Sequence, residues 1–104
     1  MKCILWSSWA DINAAHTDPF SNNGQVHGHL WRIRIGIEQP LNARMDARQL
    51  ISAVKGFAEL YDHTYIGEIS TEDIAVNALA YIKIADRVEV EESGICTVQL
   101  YREV

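Results

Sequence analysis

The side chains from residue 27 to residue 38 alternate strictly, and this pattern limits the fold more than any other feature of the chain. One set of alternate residues is apolar apart from its histidines: His27, His29, Trp31, Ile33, Ile35 and Ile37. The other set is mostly polar or small: Gly28, Leu30, Arg32, Arg34, Gly36 and Glu38. Because successive side chains of a strand point to opposite faces, the pattern predicts an antiparallel strand with one covered face and one open face.

Segment 3–16 is predicted to be a strand that precedes this one. It alternates less strictly, and one side carries Ile4, Trp6, Ala10, Ile12, Ala14 and His16. The connection between residues 17 and 26 contains Pro19 and Gly24 and is predicted to be a loop. If the two strands pair as an antiparallel hairpin, His16 lies opposite His27 and diagonal to His29. The Cβ atoms of such neighbours are about 4.5–5.5 Å and about 7–8 Å apart, respectively.

Three histidines would therefore converge at one end of the hairpin. Neutral imidazoles are frequent zinc ligands, and three protein ligands leave the open coordination position that is typical of catalytic zinc sites. This arrangement favours a zinc site formed by His16, His27 and His29. The alternative is that all three are ordinary polar residues at the end of a strand.

The middle of the chain predicts two helices. Asp46 is expected to cap a helix that reaches about Tyr61, with an apolar stripe formed by Leu50, Val54, Phe57 and Tyr61. Gly56 weakens such a helix by about 1 kcal/mol relative to alanine, which suggests close packing there. Residues 70–73 (Ser-Thr-Glu-Asp) are typical of a helix start. This second helix is predicted to reach about Ala85 and to bury Ile74, Ala78, Leu79 and Ile82.

Two last strands, at about residues 87–92 and 95–103, are predicted to join through Ser93 and Gly94. The order ββααββ predicts an α+β fold in which a four-stranded antiparallel sheet carries both helices on one face. The other face and the sheet edges then need a partner, so we expect an oligomer.

The composition narrows the class of protein further. With 104 residues, the chain is expected to form one domain, residues 1–104. A net charge of −5 argues against a general nucleic-acid binder or a binder of anionic membranes. The N-terminal segment contains Trp, Ser and Asp where a signal peptide has an unbroken apolar stretch. Cys3 and Cys96 are too few to form a disulfide framework. We therefore expect a cytoplasmic protein.

Two further groups of polar residues have both a functional and a structural interpretation. Glu92 ends an apolar run in the strand 87–92, so it is either exposed at the rim or a clamp that accepts two parallel N–H bonds from a heterocycle. Asp62 and His63 are either an ordinary pair at a helix end or an acid–base pair in which the carboxylate fixes the imidazole tautomer.

Taken in order, six segments resemble the motifs of the 6-pyruvoyl- and 6-carboxy-tetrahydropterin synthase family, which are zinc lyases of the tunnelling fold. Residues 12–16 (INAAH) are similar to F-S-A-A-H, residues 27–29 (HGH) to H-G-H, and residues 45–46 (MD) to V-D-F. Residues 61–63 (YDH) are similar to L-D-H, residues 70–73 (STED) to P-T-x-E-N, and residues 91–93 (EES) to the late E-T. Each motif alone is weak, but six in the right order that use all four histidines are specific.

This resemblance implies a role for each matching residue. His16, His27 and His29 would bind zinc, and Asp62 and His63 would be the catalytic acid–base pair. Glu92 would hold the pyrimidine side of a pterin, and Ser70 or Thr71 would help to position it.

The resemblance also implies a reaction and an assembly. The substrate would be 7,8-dihydroneopterin triphosphate or a related pterin, and the product a pyruvoyl-, carboxy- or hydroxymethyl-pterin, as in tetrahydrobiopterin or queuosine biosynthesis. The chain would form a homo-oligomeric β-barrel, a hexamer of the dimer-of-trimers type, with active sites between subunits.

One position departs from the family pattern. The family has a cysteine as general base four residues before H-G-H, and this chain has Asn23, which cannot act as a base near neutral pH. Cys3 and Cys96 begin the first and last strands, so neither is expected to replace it. Asp18, His63 or a water activated by zinc are the candidate bases.

Three functions therefore compete. The first is a zinc-dependent pterin lyase or aldolase with altered or reduced activity, and the second is a non-catalytic homologue that binds zinc and a pterin. The third is a structural oligomer whose histidines only make hydrogen bonds at a strand end.

Overall fold

The computed structural model describes residues 1–17, 19 and 25–103. Its elements are β1 (Lys2–Trp6), β2 (Ala10–Thr17), β3 (Val26–Pro40), α1 (Ala47–Tyr61), α2 (Thr71–Tyr81), β4 (Arg87–Glu92) and β5 (Cys96–Tyr101). Every strand pairing is antiparallel, with β1 and β2 along one edge of β3, β4 along its other edge, and β5 beyond β4. Both helices contact the sheet, and the predicted α+β fold is confirmed.

The predicted strand 3–16 is interrupted by a bulge between β1 and β2. Trp6 pairs with Gly36 and Ala10 with Ile33, so three residues on this edge face two residues of β3. An extra residue reverses the alternation of side chains. Ile4 and Trp6 therefore lie on the open face, and the prediction that they share a side with Ala10 is wrong.

Ser7 anchors this bulge to β3. The backbone N–H of Ser7 donates to the carbonyl of Ile35 at 2.8 Å, and the N–H of Ile35 donates to the hydroxyl of Ser7 at 3.1 Å. The Ser7 hydroxyl thus replaces the backbone carbonyl that a regular strand would offer to the N–H of Ile35, so this N–H keeps a hydrogen-bond partner at the bulge.

Aromatic rings and arginines cover the open face beside the bulge. The guanidinium of Arg34 lies 4.3 Å from the ring centre of Trp6 and 4.7 Å from that of Trp9, and Arg32 lies 4.5 Å from Trp9. Gly36 makes room for this stack, because a Cβ atom there would lie 2.8 Å from a ring carbon of Trp6. The open face is thus a layer of stacked and charged groups rather than a bare apolar surface.

The other face of the sheet forms the core with the two helices. Its alternation follows the predictions for β2 and β3, because Ala10, Ile12, Ala14 and His16 are buried along one strand and Trp31, Ile33 and Ile35 along the other. The helices contribute the predicted stripes, among them Leu50, Val54, Phe57, Ile74, Ala78 and Leu79. Burial of these large side chains is the main favourable term in the stability of such a domain.

Each helix begins where its capping signal predicts. The Asp46 carboxylate accepts the N–H of Arg48, and both the side chain and the backbone of Arg48 lower the pKa of Asp46. Ser70 and Asp73 form a reciprocal capping box at the start of α2.

The second helix ends at Tyr81, not near Ala85 as predicted. The guanidinium of Arg102, which follows β5, donates to the carbonyls of Leu79, Ile82 and Ala85 at 2.6, 3.3 and 3.2 Å. This distant side chain satisfies the carbonyl of Leu79, which the N–H of Lys83 would bond in a longer helix, and also the carbonyls of Ile82 and Ala85. No helix in the described part of the chain is long and apolar enough to cross a membrane.

Gly56 lies in α1 with open space beside it, since a Cβ atom there would meet nothing within 4 Å. The expectation of close packing at this residue is therefore wrong.

We predict that Gly56→Ala raises the free energy of unfolding by about 1 kcal/mol, because alanine has the higher helix propensity. Urea denaturation measures this change.

Gly94→Ala is the matched control for this prediction. Gly94 also has open space around it, but its φ of 75° disfavours any residue with a Cβ atom. The same substitution should lower stability there. A Gly56→Ala protein that is less stable than the wild type would contradict the prediction and indicate that a partner covers this part of α1.

Candidate metal centre

The register of β2 and β3 brings three histidines together. His16 pairs with His27 and Ala14 pairs with His29, which confirms the predicted arrangement of the hairpin. The ring centres lie 4.6 Å apart for His16 and His27, 4.6 Å for His27 and His29, and 5.1 Å for His16 and His29. One ring nitrogen from each histidine lies within 4.8 Å of the others, which is a spacing that a single metal ion can bridge.

Hydrogen bonds to carbonyls fix the orientation of two of these rings. Nδ1 of His16 lies 2.8 Å from the carbonyl oxygen of Ile69, and Nδ1 of His27 lies 3.2 Å from that of Gln25. A carbonyl only accepts, so Nδ1 carries the proton in each neutral ring and Nε2 keeps a lone pair. Such a contact from the non-ligating nitrogen is the usual support of a metal-binding histidine.

The two Nε2 atoms then face each other. They are 3.1 Å apart in His16 and His27. Two lone pairs at this distance repel each other unless a proton or a cation lies between them. Two zinc–nitrogen bonds of about 2.0–2.1 Å to one ion give a separation of this size. The donor set therefore fits a divalent metal.

A buried carboxylate lies beside the cluster. The Oε1 atom of Glu92 is 3.4 Å from Nε2 of His29, and its Oε2 atom accepts a hydrogen bond of 2.6 Å from the hydroxyl of Thr71. Nε1 of Trp31 donates to the same hydroxyl at 3.3 Å. Glu92 thus lies on the apolar face at the strand end, as its sequence position predicted, and it is paired rather than exposed at the rim.

Glu92 and Thr71 line a cavity of about 230 Å³. Its walls are His16, Ser70, Thr71, Glu72, Glu92, Ile95 and Cys96. The hydroxyl of Ser70 belongs to the capping box of α2, which leaves Thr71 as the hydroxyl that contacts the carboxylate.

Cys96 lies closer to the site than its place in the last strand suggested. It pairs with Glu92 across β4 and β5, and cross-strand partners share a face of the sheet. The thiol is free. Sequence reasoning missed this neighbour because only the register of the final hairpin reveals it.

Asp62 and His63 lie away from the cavity beside Glu92 in the chain's own fold. Oδ1 of Asp62 accepts the N–H of Asn13 at 2.8 Å, and Oδ2 lies 3.5 Å from Nε2 of His63, so the two form a pair. The His63 side chain is 80% exposed and lines a larger depression with Asn13, Ala14, Ala15, Gly28, His29 and Thr64. This depression shares no lining residue with the cavity beside Glu92, so the structure does not bring His63 and Glu92 together within one chain.

Two residues of the sequence-based hypothesis lie outside the described part of the chain. They are Asn23, which stands at the position of the family's cysteine, and Asp18, which is a candidate base.

Comparisons with known proteins identify the fold. No family model matches the sequence, and no curated protein matches it. Among solved structures, a Plasmodium vivax 6-pyruvoyltetrahydropterin synthase with a catalytic glutamate replaced by alanine is similar at 16% identity and a TM-score of 0.77. That likeness covers 100% of this chain and 99% of the other.

A second structure of the Plasmodium vivax synthase gives 15% identity and a TM-score of 0.75, with 100% of this chain and 99% of that one covered. The Caenorhabditis elegans 6-pyruvoyl tetrahydropterin synthase gives 14% identity and a TM-score of 0.65, over 99% and 97% of the two chains. The chain therefore has the tunnelling fold of the 6-pyruvoyltetrahydropterin synthases, and the resemblance predicted from its motifs is confirmed at the level of the fold.

Proposed function

We propose that this protein is a zinc-dependent lyase of the 6-pyruvoyl- or 6-carboxy-tetrahydropterin synthase type, acting on 7,8-dihydroneopterin triphosphate or a related pterin. The observation that carries the proposal is the three-histidine cluster beside the buried carboxylate of Glu92, in a chain with the synthase fold.

His16, His27 and His29 are the residues that would hold the metal. When bound, zinc supplies a Lewis acid that polarises a substrate oxygen and stabilises developing negative charge. His16 and His27 are already oriented by the carbonyls of Ile69 and Gln25, so little reorganisation accompanies metal uptake.

Glu92 is suited to hold the pyrimidine side of a pterin. A carboxylate offers about four acceptor positions. Thr71 donates to one oxygen of Glu92 and His29 lies 3.4 Å from the other, which leaves acceptor positions for the adjacent N–H groups of a pterin ring. The burial of Glu92 strengthens such hydrogen bonds, because few water molecules compete for the carboxylate.

Asp62 and His63 are proposed as the acid–base pair of a neighbouring subunit's site. Asp62 orients the imidazole, and the exposed ring of His63 is free to enter a surface outside its own chain. This assignment is consistent with a homo-oligomer, a hexamer in our proposal, whose active sites lie between subunits. It also explains why the pair and Glu92 line different cavities in one chain.

The alternative is a non-catalytic homologue that binds zinc and a pterin. The substitution of Asn23 for the family's cysteine favours this alternative. Against it, the Plasmodium vivax synthase uses a glutamate as a catalytic residue, so a cysteine is not the only catalytic side chain found in this fold.

Metal content is the first test of the proposal. We predict one zinc ion per wild-type chain, measured by mass spectrometry of metals after purification without added metal. His27→Ala should lose this ion because two ligands bind zinc far more weakly than three. His63→Ala is the matched control and should keep it. A His27→Ala protein with full zinc would contradict the ligand assignment.

Product formation is the second test. Zinc-loaded protein is incubated with 7,8-dihydroneopterin triphosphate, and any new pterin is identified by its mass. We expect a pyruvoyl-, carboxy- or hydroxymethyl-pterin, and a loss of about 10²–10⁴-fold in rate for His63→Ala, which is typical when an acid–base group is removed. Tight binding of the pterin without any product would favour the non-catalytic alternative.

Subunit mixing tests the shared site. His27→Ala and His63→Ala should each be inactive alone and should regain part of the wild-type rate after they are dissociated and reassembled together. In the mixed oligomer, one subunit supplies the histidine cluster and its neighbour supplies His63. A mixture that stays as inactive as each variant alone would place all of these groups in one chain's site and contradict the proposed arrangement.

A further inference from the structure

Glu92 contacts the histidine cluster at His29. Its Oε1 atom lies 3.4 Å from Nε2 of His29. Among the described residues, the group whose ligand atoms all lie within 4.8 Å of one another contains His16, His27 and His29, and Glu92 is not a member. The carboxylate is therefore a neighbour of His29 rather than a fourth ligand of the same centre.

Thr71 and Trp31 hold this carboxylate in one orientation. An indole N–H can only donate, so the Thr71 oxygen accepts from Trp31 and its own proton goes to Oε2 of Glu92. Trp31, Thr71 and Glu92 are 0%, 2% and 8% exposed, respectively. Because water has little access to this chain of hydrogen bonds, the direction of each bond is fixed and the second oxygen of Glu92 is directed at His29.

We propose that Glu92 is a positioning residue for His29 and that Thr71 holds Glu92 in place for this role. In this arrangement Nε2–H of His29 would donate to Oε1 of Glu92, and Nδ1 of His29 would be the atom that binds the metal. A carboxylate that accepts a hydrogen bond from the non-ligating nitrogen of a metal-binding imidazole fixes the ring and makes it a better ligand, and loss of such a partner typically weakens metal binding by about 10–100-fold. This inference rests on the proposed metal centre. It gives Glu92 a function toward the metal in addition to the one toward the pterin.

The two functions of Glu92 are compatible. Thr71 and His29 use one acceptor position on each oxygen, and each oxygen keeps a second lone pair. A pterin that donates to those remaining positions would not have to displace either contact. The same carboxylate therefore connects the metal centre with the cavity that His16, Thr71 and Cys96 also line.

Metal affinity of Glu92→Gln tests the proposal. The substitution keeps the shape and removes the charge of the side chain. We expect the dissociation constant for zinc, measured by competition with a chromophoric chelator, to rise by about 10–100-fold. The absorption bands of the cobalt-substituted protein should shift as well, because His29 is held less firmly.

Glu89→Gln is the matched control. Glu89 lies on the same strand with the same exposed fraction of 8%, but it faces the other side and is bonded to Arg34 and Gln99. Its substitution should change zinc affinity by less than about twofold, even if stability falls, since the lost ion pair lies away from the histidines. An equal loss of affinity in both variants would overturn the proposal, because it would reflect general destabilisation.

Thr71 provides a second variant. Thr71→Val removes the hydroxyl that holds Oε2 of Glu92, and it should weaken zinc binding in the same direction but less than Glu92→Gln. Thr71→Ser restores the hydroxyl and should restore the affinity. Weak binding by both the valine and the serine variants would contradict the assigned role of the hydroxyl.

These outcomes are separate from those of the proposed reaction. A wild-type protein that binds one zinc ion but converts no pterin would contradict the reaction and leave the role of Glu92 intact. A Glu92→Gln protein that binds zinc as tightly as the wild type would overturn the role of Glu92, whether or not a pterin is converted.

Discussion

The antiparallel register between β2 and β3 is the constraint on which the rest of the structure depends. The pairing that places Ile12 opposite Trp31 also places His16 opposite His27. A slip of one residue would turn every side chain of β2 to the other face, so the core and the histidine cluster would be lost together. The hydrophobic effect that selects this register therefore also fixes the geometry of the site, and no further interaction is needed to bring the histidines together.

The remaining parts of the site depend on elements that are distant in the sequence. Glu92 comes from β4 and Thr71 from the first turn of α2. The capping box of Ser70 and Asp73 fixes the backbone at that turn, and through it the direction of the Thr71 hydroxyl. Ser70, which the family resemblance suggested as a pterin contact, forms this capping box and also lines the cavity beside Glu92.

Local patterns in the sequence were sufficient to predict the elements and the histidine cluster. Alternation determined the face of β3, capping signals determined where both helices begin, and pairing the two alternating segments as an antiparallel hairpin placed His16 opposite His27. Each of these depends on residues close together in the chain, and the six ordered motifs added the correct fold.

Most of the features that the sequence did not predict arise from long-range contacts. The bulge at Ser7 depends on hydrogen bonds to Ile35, and the early end of α2 depends on Arg102. The positions of Cys96 beside Glu92 and of His63 away from it depend on how separate strands and loops pair. No periodicity or local signature encodes the contacts of Ser7 and Arg102, since their partners lie tens of residues away in the chain. Cys96 and Glu92 are only four residues apart, and their proximity depends on the register of the final hairpin.

The bulge between β1 and β2 has a consequence for insertions and deletions in this part of the chain. Deleting one residue between Trp6 and Ala10 would leave two residues opposite two residues of β3, so the ladder would continue without a bulge and both registers would be kept. Trp6 would still pair with Gly36 and lie beside Arg34 on the open face, and Leu5 would still pack against the core. A deletion of one residue at this point is therefore compatible with the present faces of both strands and with the histidine cluster of β2.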